Sequence, residues 1–311
     1  MLRGRPWILD GGLASTLQED GFSVDGDPLW SARILATNPD AIKKVHASFL
    51  EAGADIITTA SYQASIVGFK DHLGTTEDEA RRLMDLSVEL AQEAIHEYSS
   101  TLHNEGKKVL VAGSIGPYGA CQADGSEYTG AYVSKVTPED MKEWHRPRMA
   151  ALISSGVDLL AIETIPALEE ALTILNLLRE FPDIRAWLSF SCKDGKYTNY
   201  GDNFGEAAKK CYEMAGDQLV AVGVNCSPPQ YITSLLEKAN LSLPPPSILP
   251  RVVYPNSGEE WIAGKGWANG SKWPYDNEVK KWFSLGASVI GGCCRLGPRD
   301  IRIIASTVAS M

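Results

Sequence analysis

Asp158-Leu159-Leu160-Ala161-Ile162-Glu163-Thr164 sets four apolar residues in succession and stops on two polar ones. Unbroken apolarity over so short a run fits a parallel strand buried on both faces, because an antiparallel strand with one wet face alternates. Seven further runs read the same way. Trp7-Ile8-Leu9 leads into Asp10-Gly11-Gly12, and Asp55-Ile56-Ile57-Thr58-Thr59-Ala60 into Ser61-Tyr62-Gln63. Val109-Leu110-Val111-Ala112-Gly113 opens a glycine-rich loop reaching to about Lys135, and the remaining runs cover 186–190, 220–226, 251–254 and 289–290. Helix-length segments separate them. Asn38-Pro39-Asp40 places a cap and a proline ahead of Ile42, Val45, Phe49 and Leu50, up to Gly53. A long helix is expected from Thr76, with Leu83, Leu86, Leu90, Ala94 and Tyr98 in its apolar band, and another from Thr137-Pro138 to Gly156. Others are expected at 168–179, 205–215, 229–239, 276–285 and 298–309.

Eight such runs joined by helices predict an α/β chain folded as a single (β/α)8 TIM-type barrel over residues 1–311. A doubly wound open sheet is the alternative, but no GxGxxG follows the first run, and Gly113, Gly116 and Gly119 have the wrong spacing for a dinucleotide turn. Pro244-Pro245-Pro246 reads as a stiff loop before the seventh strand.

Composition narrows the function. With 44% hydrophobic and 22% charged residues the chain resembles a globular enzyme. Its 29 basic and 39 acidic residues give a formal charge of -10, which repels phosphate backbones and anionic membranes, so nucleic acid is not an expected partner. No apolar run reaches the roughly 20 residues that span a bilayer, and no secretory h-region precedes the first run; the expected compartment is the cytoplasm.

In a TIM-type barrel the polar residues that end the strands converge on one face. Here they are Asp10, Thr58, Ser61, Tyr62, Glu163, Asn225, Cys226, Asn256, Cys293 and Cys294. Three thiols among them can hold a soft metal, although any one cysteine is more often a buried inert residue. Adjacent Cys293 and Cys294 point to opposite faces of a regular strand, so both reach one ion only if the chain turns at Gly291-Gly292 or just beyond. Zn2+ is the expected occupant, since thiolates are soft ligands and no redox role is called for. The histidines His46, His72, His96, His103 and His145 form no HxxxH pair, and most read as solvated or capping side chains. Lys193, after the fifth run, would serve a Schiff-base mechanism but reads as an exposed loop lysine.

A family resemblance rests on motifs spread along almost the whole chain: LDGG at 9–12, DPLWSA at 27–32, TASYQA at 59–64, GSIGPYGA at 113–120, DGSEYTGAY at 124–132, HRPR at 145–148, ET at 163–164, GVNC at 223–226, VVYPNSGE at 252–259 and GGCCR at 291–295. With these the sequence resembles the homocysteine S-methyltransferases that use S-methylmethionine or S-adenosylmethionine, and more distantly betaine-homocysteine methyltransferase and the homocysteine domain of methionine synthase. The resemblance implies Cys226, Cys293 and Cys294 as zinc ligands. It implies Asp10 and Glu163 as carboxylates on the homocysteine amino group, Gly11 beside them, and Thr58, Ser61 and Tyr62 nearer the methyl donor; Asn225 is included in the substrate pocket. The chain ends soon after GGCC, without the long extension that the betaine enzyme uses to oligomerise, so betaine is the less expected donor. The oligomeric state is left open, a monomer being compatible with the sequence.

The chemistry agrees independently. Three thiolates on Zn2+ leave one position for a substrate sulfur, which coordination deprotonates. A sulfonium donor releases a neutral thioether, so no general acid is required, and Trp30, Tyr62, Tyr118 or Glu127 would favour its positive charge. Rival readings are a selenocysteine methyltransferase on the same fold, a Schiff-base aldolase using Lys193, and a non-catalytic zinc or thiol buffer.

Overall fold

The computed structural model describes residues 4–101, 106–241, 249–259, 261–262, 266–267 and 272–311. Eight parallel strands build the central sheet: β1 (Trp7–Ile8), β2 (Ile56–Thr58), β3 (Leu110–Ile115), β4 (Leu159–Ile165), β5 (Ala186–Phe190), β6 (Leu219–Asn225), β7 (Arg251–Tyr254) and β10 (Ala287–Ile290). Between β7 and β10 lies a small antiparallel hairpin of β8 (Trp261–Ile262) and β9 (Gly266–Trp267). From β2 to β7 each strand pairs with the next in the chain; β10 then pairs with β7 and β1, and a parallel bridge from Leu9 to Ile56 joins β1 to β2. The sheet therefore closes into the expected TIM-type barrel.

The predicted helices form the outer ring: α3 (Pro39–Ala52), α5 (Glu77–Ser99), α6 (Pro138–Ser154), α7 (Leu168–Leu178), α8 (Phe204–Ala215), α9 (Pro229–Leu241), α10 (Asp276–Ser284) and α11 (Pro298–Ala309). Their ends follow local chemistry. Thr76 and Glu79 form a reciprocal capping box at the start of α5, and Thr137 accepts the Asp140 amide at the start of α6 (3.1 Å). On α5 the buried face is carried by Met84, Val88 and Ala91 along with the expected Leu90 and Ala94, while Leu83, Leu86 and Tyr98 are only partly covered. Three short helices, α1 (Leu13–Glu19), α2 (Arg33–Thr37) and α4 (Ile66–Leu73), were not foreseen; they lie in the loops after β1 and β2, too short to show a clear period. The Pro244-Pro245-Pro246 stretch and His103 lie outside the described residues.

Alternation along the strands sorts the core into two layers. Leu9, Ile56, Ala112, Ala161, Trp187 and Val252 are in one cluster, filling the barrel, whereas Ile8, Ile57, Val111, Leu188, Val222 and Val253 pack outward under the helices. Inside the barrel the Tyr254 hydroxyl accepts the Trp187 indole N–H at 3.0 Å and meets Ser189 Oγ at 2.6 Å, so these buried polar tips are satisfied. Pairing of β4 with β5 slips by one residue between Ile162 and Ile165. The slip is a β-bulge, and it falls on Glu163-Thr164, the two residues that end the opening stretch.

Candidate functional site

A cleft of roughly 680 Å3, counting the solvent at its mouth, opens at the carboxyl ends of the strands, as the barrel geometry requires. Asp10, Gly11, Thr58, Tyr62, Glu163, Cys226, Cys293 and Cys294 line it, together with residues not singled out from the sequence, among them Ser15, Ser114, Thr164, Tyr128 and Tyr254. Ser61 and Asn225 do not. The Ser61 hydroxyl donates to the Ser114 carbonyl (2.8 Å) and contacts Thr59 Oγ1 (2.6 Å), while Asn225 is fully buried and clamps Thr164, accepting its N–H (2.7 Å) and donating to its hydroxyl (2.8 Å). Asn256 is likewise turned away, its side chain donating to the Cys226 carbonyl (3.4 Å) and accepting from Gly258 N–H (2.9 Å). Lys193 stands on an exposed loop and does not line the cleft.

Of the five non-glycine residues with positive φ among the described residues, Trp30 (47°), Thr164 (60°) and Cys226 (44°) line the cleft, and Arg295 (63°) directly follows Cys294, which also lines it. Each such conformation costs about 1–3 kcal/mol and persists only where its surroundings impose it. The clamp from Asn225 supplies that imposition at Thr164. At Thr164 and Cys226 the left-handed backbone falls at the ends of β4 and β6, and both residues line the cleft.

The three sulfurs come together by two different routes. Cys226 takes its left-handed conformation directly after β6, whereas Cys293 and Cys294 follow β10 through Gly291-Gly292. The sharp turn falls just beyond the glycines, where Leu296 N–H bonds the Cys293 carbonyl (3.0 Å) and Arg295 is left-handed. The glycines answer to close approach instead: a β-carbon on Gly291 would lie 2.6 Å from that of Leu9, and one on Gly292 2.6 Å from that of Leu296. The turn is fastened to the first strand by Gly292 N–H on the Asp10 carbonyl (3.0 Å), Gly12 N–H on the Leu296 carbonyl (2.9 Å) and Arg295 N–H on Ser15 Oγ (2.8 Å).

Cys226, Cys293 and Cys294 have their Sγ atoms within 4.8 Å of one another, with Cys226 and Cys294 at 3.4 Å, and no disulfide joins them. Tetrahedral metal–thiolate bonds of about 2.3 Å would separate sulfurs by roughly 3.8 Å, so the cluster has the spacing of a metal site. Hydrogen bonds from Cys293 and Cys294 hold the Cys226 thiol well below its usual range, while the same coupling and burial push the other two up. A cation that favours three thiolates is what this arrangement suits.

Two carboxylates face the cluster. Asp10 accepts the Thr58 amide at 2.7 Å and the Thr58 hydroxyl at 3.0 and 3.1 Å, yet burial raises it well above the usual carboxylate range, with a further push from Glu163. Glu163 accepts the Ser114 hydroxyl, and burial lifts its pKa to about 7 against the hydrogen bonds from Ser114 and Tyr254. Desolvated carboxylates side by side form a receptor for a positive group that would restore both to the ionised state. At the aromatic wall Trp30 meets Tyr62 edge to face at 6.1 Å, and the Tyr128 hydroxyl lies 3.4 Å from Cys226 Sγ.

Two histidines depart from the solvated reading. His46 is buried on α3 without a hydrogen-bond partner among the described residues, and His145 is buried on α6 against Glu170. No helix among the described residues is long and apolar enough to cross a membrane.

The barrel thus gathers three cysteines and two buried carboxylates at its strand ends. The chain is a member of the homocysteine S-methyltransferase family, whose signature matches residues 7–308. It is 44% identical over 308 residues to a homocysteine S-methyltransferase of Bacillus subtilis, covering 98% of this chain and 95% of that one. It is 42% identical to a selenocysteine Se-methyltransferase of Brassica oleracea, with 97% and 89% covered. The metallated form of the homocysteine methyltransferase MmuM from Escherichia coli superposes with a TM-score of 0.85 at 37% identity, covering 98% of this chain and 96% of that one. The chain is therefore a methyltransferase.

Proposed function

We propose that this protein transfers a methyl group from a sulfonium donor, S-methylmethionine first and S-adenosylmethionine second, to the thiolate of L-homocysteine, giving methionine with Zn2+ held by Cys226, Cys293 and Cys294. The observation that carries the reading is the juxtaposition in one cleft of three sulfurs within 4.8 Å and the buried pair Asp10 and Glu163. When bound, Zn2+ supplies the Lewis acidity that keeps a substrate thiol ionised near neutral pH. Asp10, oriented by Thr58, and Glu163, oriented by Ser114, take the amino group of homocysteine, which directs its side chain toward the sulfurs. Gly11 lines the cleft beside Asp10, a β-carbon there being excluded by the Leu296 carbonyl and the Phe49 ring, and Trp30, Tyr62 and Tyr128 offer aromatic surface to a cationic donor.

Attack by the thiolate on the methyl carbon forms one C–S bond as the other breaks, and the donor departs as a neutral thioether. No proton is needed at the leaving group, and among the described residues the cleft lining contains no histidine or lysine. What the protein contributes is alignment and electrostatics. A selenol acceptor fits the same soft cluster, and the Brassica relative's name gives that second reading its support.

The experiment is methionine formation from homocysteine with S-methylmethionine, S-adenosylmethionine and betaine supplied separately, before and after metal removal, and with selenocysteine as the competing acceptor. Activity with a sulfonium that is lost to a chelator and restored by Zn2+ is expected, and Cys294→Ser should lose both metal and turnover. A metal-loaded protein that makes methionine from none of the donors would end the homocysteine reading.

A further inference from the structure

The motif His145-Arg146-Pro147-Arg148 on α6 has no part in the chemistry above, yet it carries a fully buried guanidinium. Among the described residues Arg148 has no carboxylate in direct contact. Its Nε donates to the Ala64 carbonyl (2.7 Å), Nη1 to the Gly116 carbonyl (2.9 Å) and to His145 Nδ1 (3.4 Å), and Nη2 to the carbonyls of Tyr62 (2.8 Å) and Ser61 (3.4 Å). Five N–H donors thus meet five acceptors, and the ring of Trp144 lies beneath the guanidinium at 4.6 Å. Since Nδ1 of His145 accepts, the ring proton is on Nε2, which donates to Glu170 Oε1 at 2.9 Å. Glu170, also fully buried, accepts the Tyr118 amide (2.6 Å) on the same oxygen and the Tyr132 hydroxyl on the other. Burial keeps His145 neutral, so the charges of Arg148 and Glu170 face each other across an imidazole.

Outside α6 and α7 the bonds of this chain fall on two segments that each carry a residue lining the cleft, Tyr62 in 61–64 and Tyr128 in 116–132. Residues 61–64 carry Tyr62, and Gly116 lies so close beneath it that a β-carbon there would come within 2.7 Å of the ring. Tyr118 and Tyr132 bracket the segment whose tip holds Tyr128. Both aromatic walls are fastened to one buried node.

We propose that Arg148, with His145 and Glu170, is the positioning residue set for the methyl-donor half of the site, holding Tyr62 and the 118–132 segment as a fixed wall. Among the described residues Asp10, Thr58 and Glu163 make no hydrogen bond to Arg148, His145 or Glu170; the one link is Ser61, whose hydroxyl donates to the Ser114 carbonyl (2.8 Å) and whose own carbonyl takes only the long 3.4 Å bond from Arg148, so the two halves respond unequally to the loss of the node. Lysine cannot stand in for the arginine, because a point charge with three donors does not span five acceptors in a plane. The donor assignment rests on the function proposed above.

The test uses the metal-loaded protein and the variants Arg148→Lys, His145→Phe and Gly116→Ala. Expected are a rise of tenfold or more in the donor KM, homocysteine dissociation constants within twofold of the parent, and faster hydrogen exchange confined to peptides covering 61–64 and 116–132. Homocysteine affinity falling in step with donor affinity, or an unchanged donor KM and exchange rate in folded variants, would overturn the proposal. Should Arg148→Lys fail to fold, the two other variants carry the same comparison. The exchange measurement needs no turnover, so failure of the sulfonium reading leaves it intact and is seen instead as a parent protein inactive with every donor.

Discussion

Replacing Glu163 by glutamine keeps the size and the hydrogen-bond acceptor for Ser114 while removing the charge. In the free protein burial lifts the Glu163 carboxyl to about 7. At pH 6 only about one site in ten is then ionised, against about nine in ten at pH 8, so homocysteine binding through its ammonium group should weaken roughly tenfold between them. The sign follows from the ligand selecting the carboxylate: protons compete with it, and affinity falls as pH falls through the raised pKa. A hydrogen bond to a charged group is worth about 1.5–3 kcal/mol, so Glu163→Gln should bind homocysteine about 10- to 150-fold more weakly at pH 8. At pH 6 the gap should shrink about tenfold, to roughly 1- to 15-fold. The assay is calorimetric titration of metal-loaded parent and variant at both pH values; the substrate thiol titrates alike with both proteins, and their difference isolates Glu163. An affinity within threefold of the parent at pH 8, or the same pH slope in both, would refute the assignment of this carboxylate to the amino group.

His46 is buried with no partner among the described residues, and burial alone lowers its pKa to about 4. The unfolded chain binds that proton near pH 6.5, so stability is lost as pH falls from there, by about 2 kcal/mol at pH 5 and about 3 kcal/mol at pH 4. His46→Leu should flatten this dependence in urea unfolding without touching turnover, and an unchanged slope would mean that the ring finds a partner. Asn225→Ala removes both bonds that hold Thr164 in its left-handed conformation and strands a buried N–H, which predicts a loss of about 2–3 kcal/mol in the same measurement; a loss under about 0.5 kcal/mol would show that Thr164 holds its conformation unaided.

The fold was legible because each barrel strand is a continuous apolar run, so period and length agree, and because Thr76, Thr137 and Pro298 mark helix starts by their own chemistry. Cys226, Cys293, Cys294, Asp10 and Glu163 were legible as strand-end polar residues. Asn225 and Ser61 satisfied the same criterion, yet they face away, because which residue at a strand end enters the cleft depends on local backbone. The bulge at Glu163-Thr164 and the left-handed Cys226 are tertiary outcomes with no glycine to announce them. Tyr254 and Ser114 were missed for a related reason. They sit on β3 and β7, strands whose inward parity is knowable only once register is fixed. The buried histidines were misread because an isolated histidine on an amphipathic helix gives no sign of its depth.

The cysteine turn is tied to residues 10, 12 and 15 by three hydrogen bonds, one of them between residues 280 apart in sequence. Closing the barrel and bringing the third sulfur into place are consequently one event. During synthesis the chain has Cys226 long before it has Cys293 and Cys294, and the latter cannot be aimed until the last strand slots between the first and the seventh. Contacts of such long sequence separation carry a large loop-closure cost and slow folding. A cluster that could hold an ion is in this sense a mark of a finished barrel, because the three sulfurs come within 4.8 Å of one another only where the first and last parts of the chain have met.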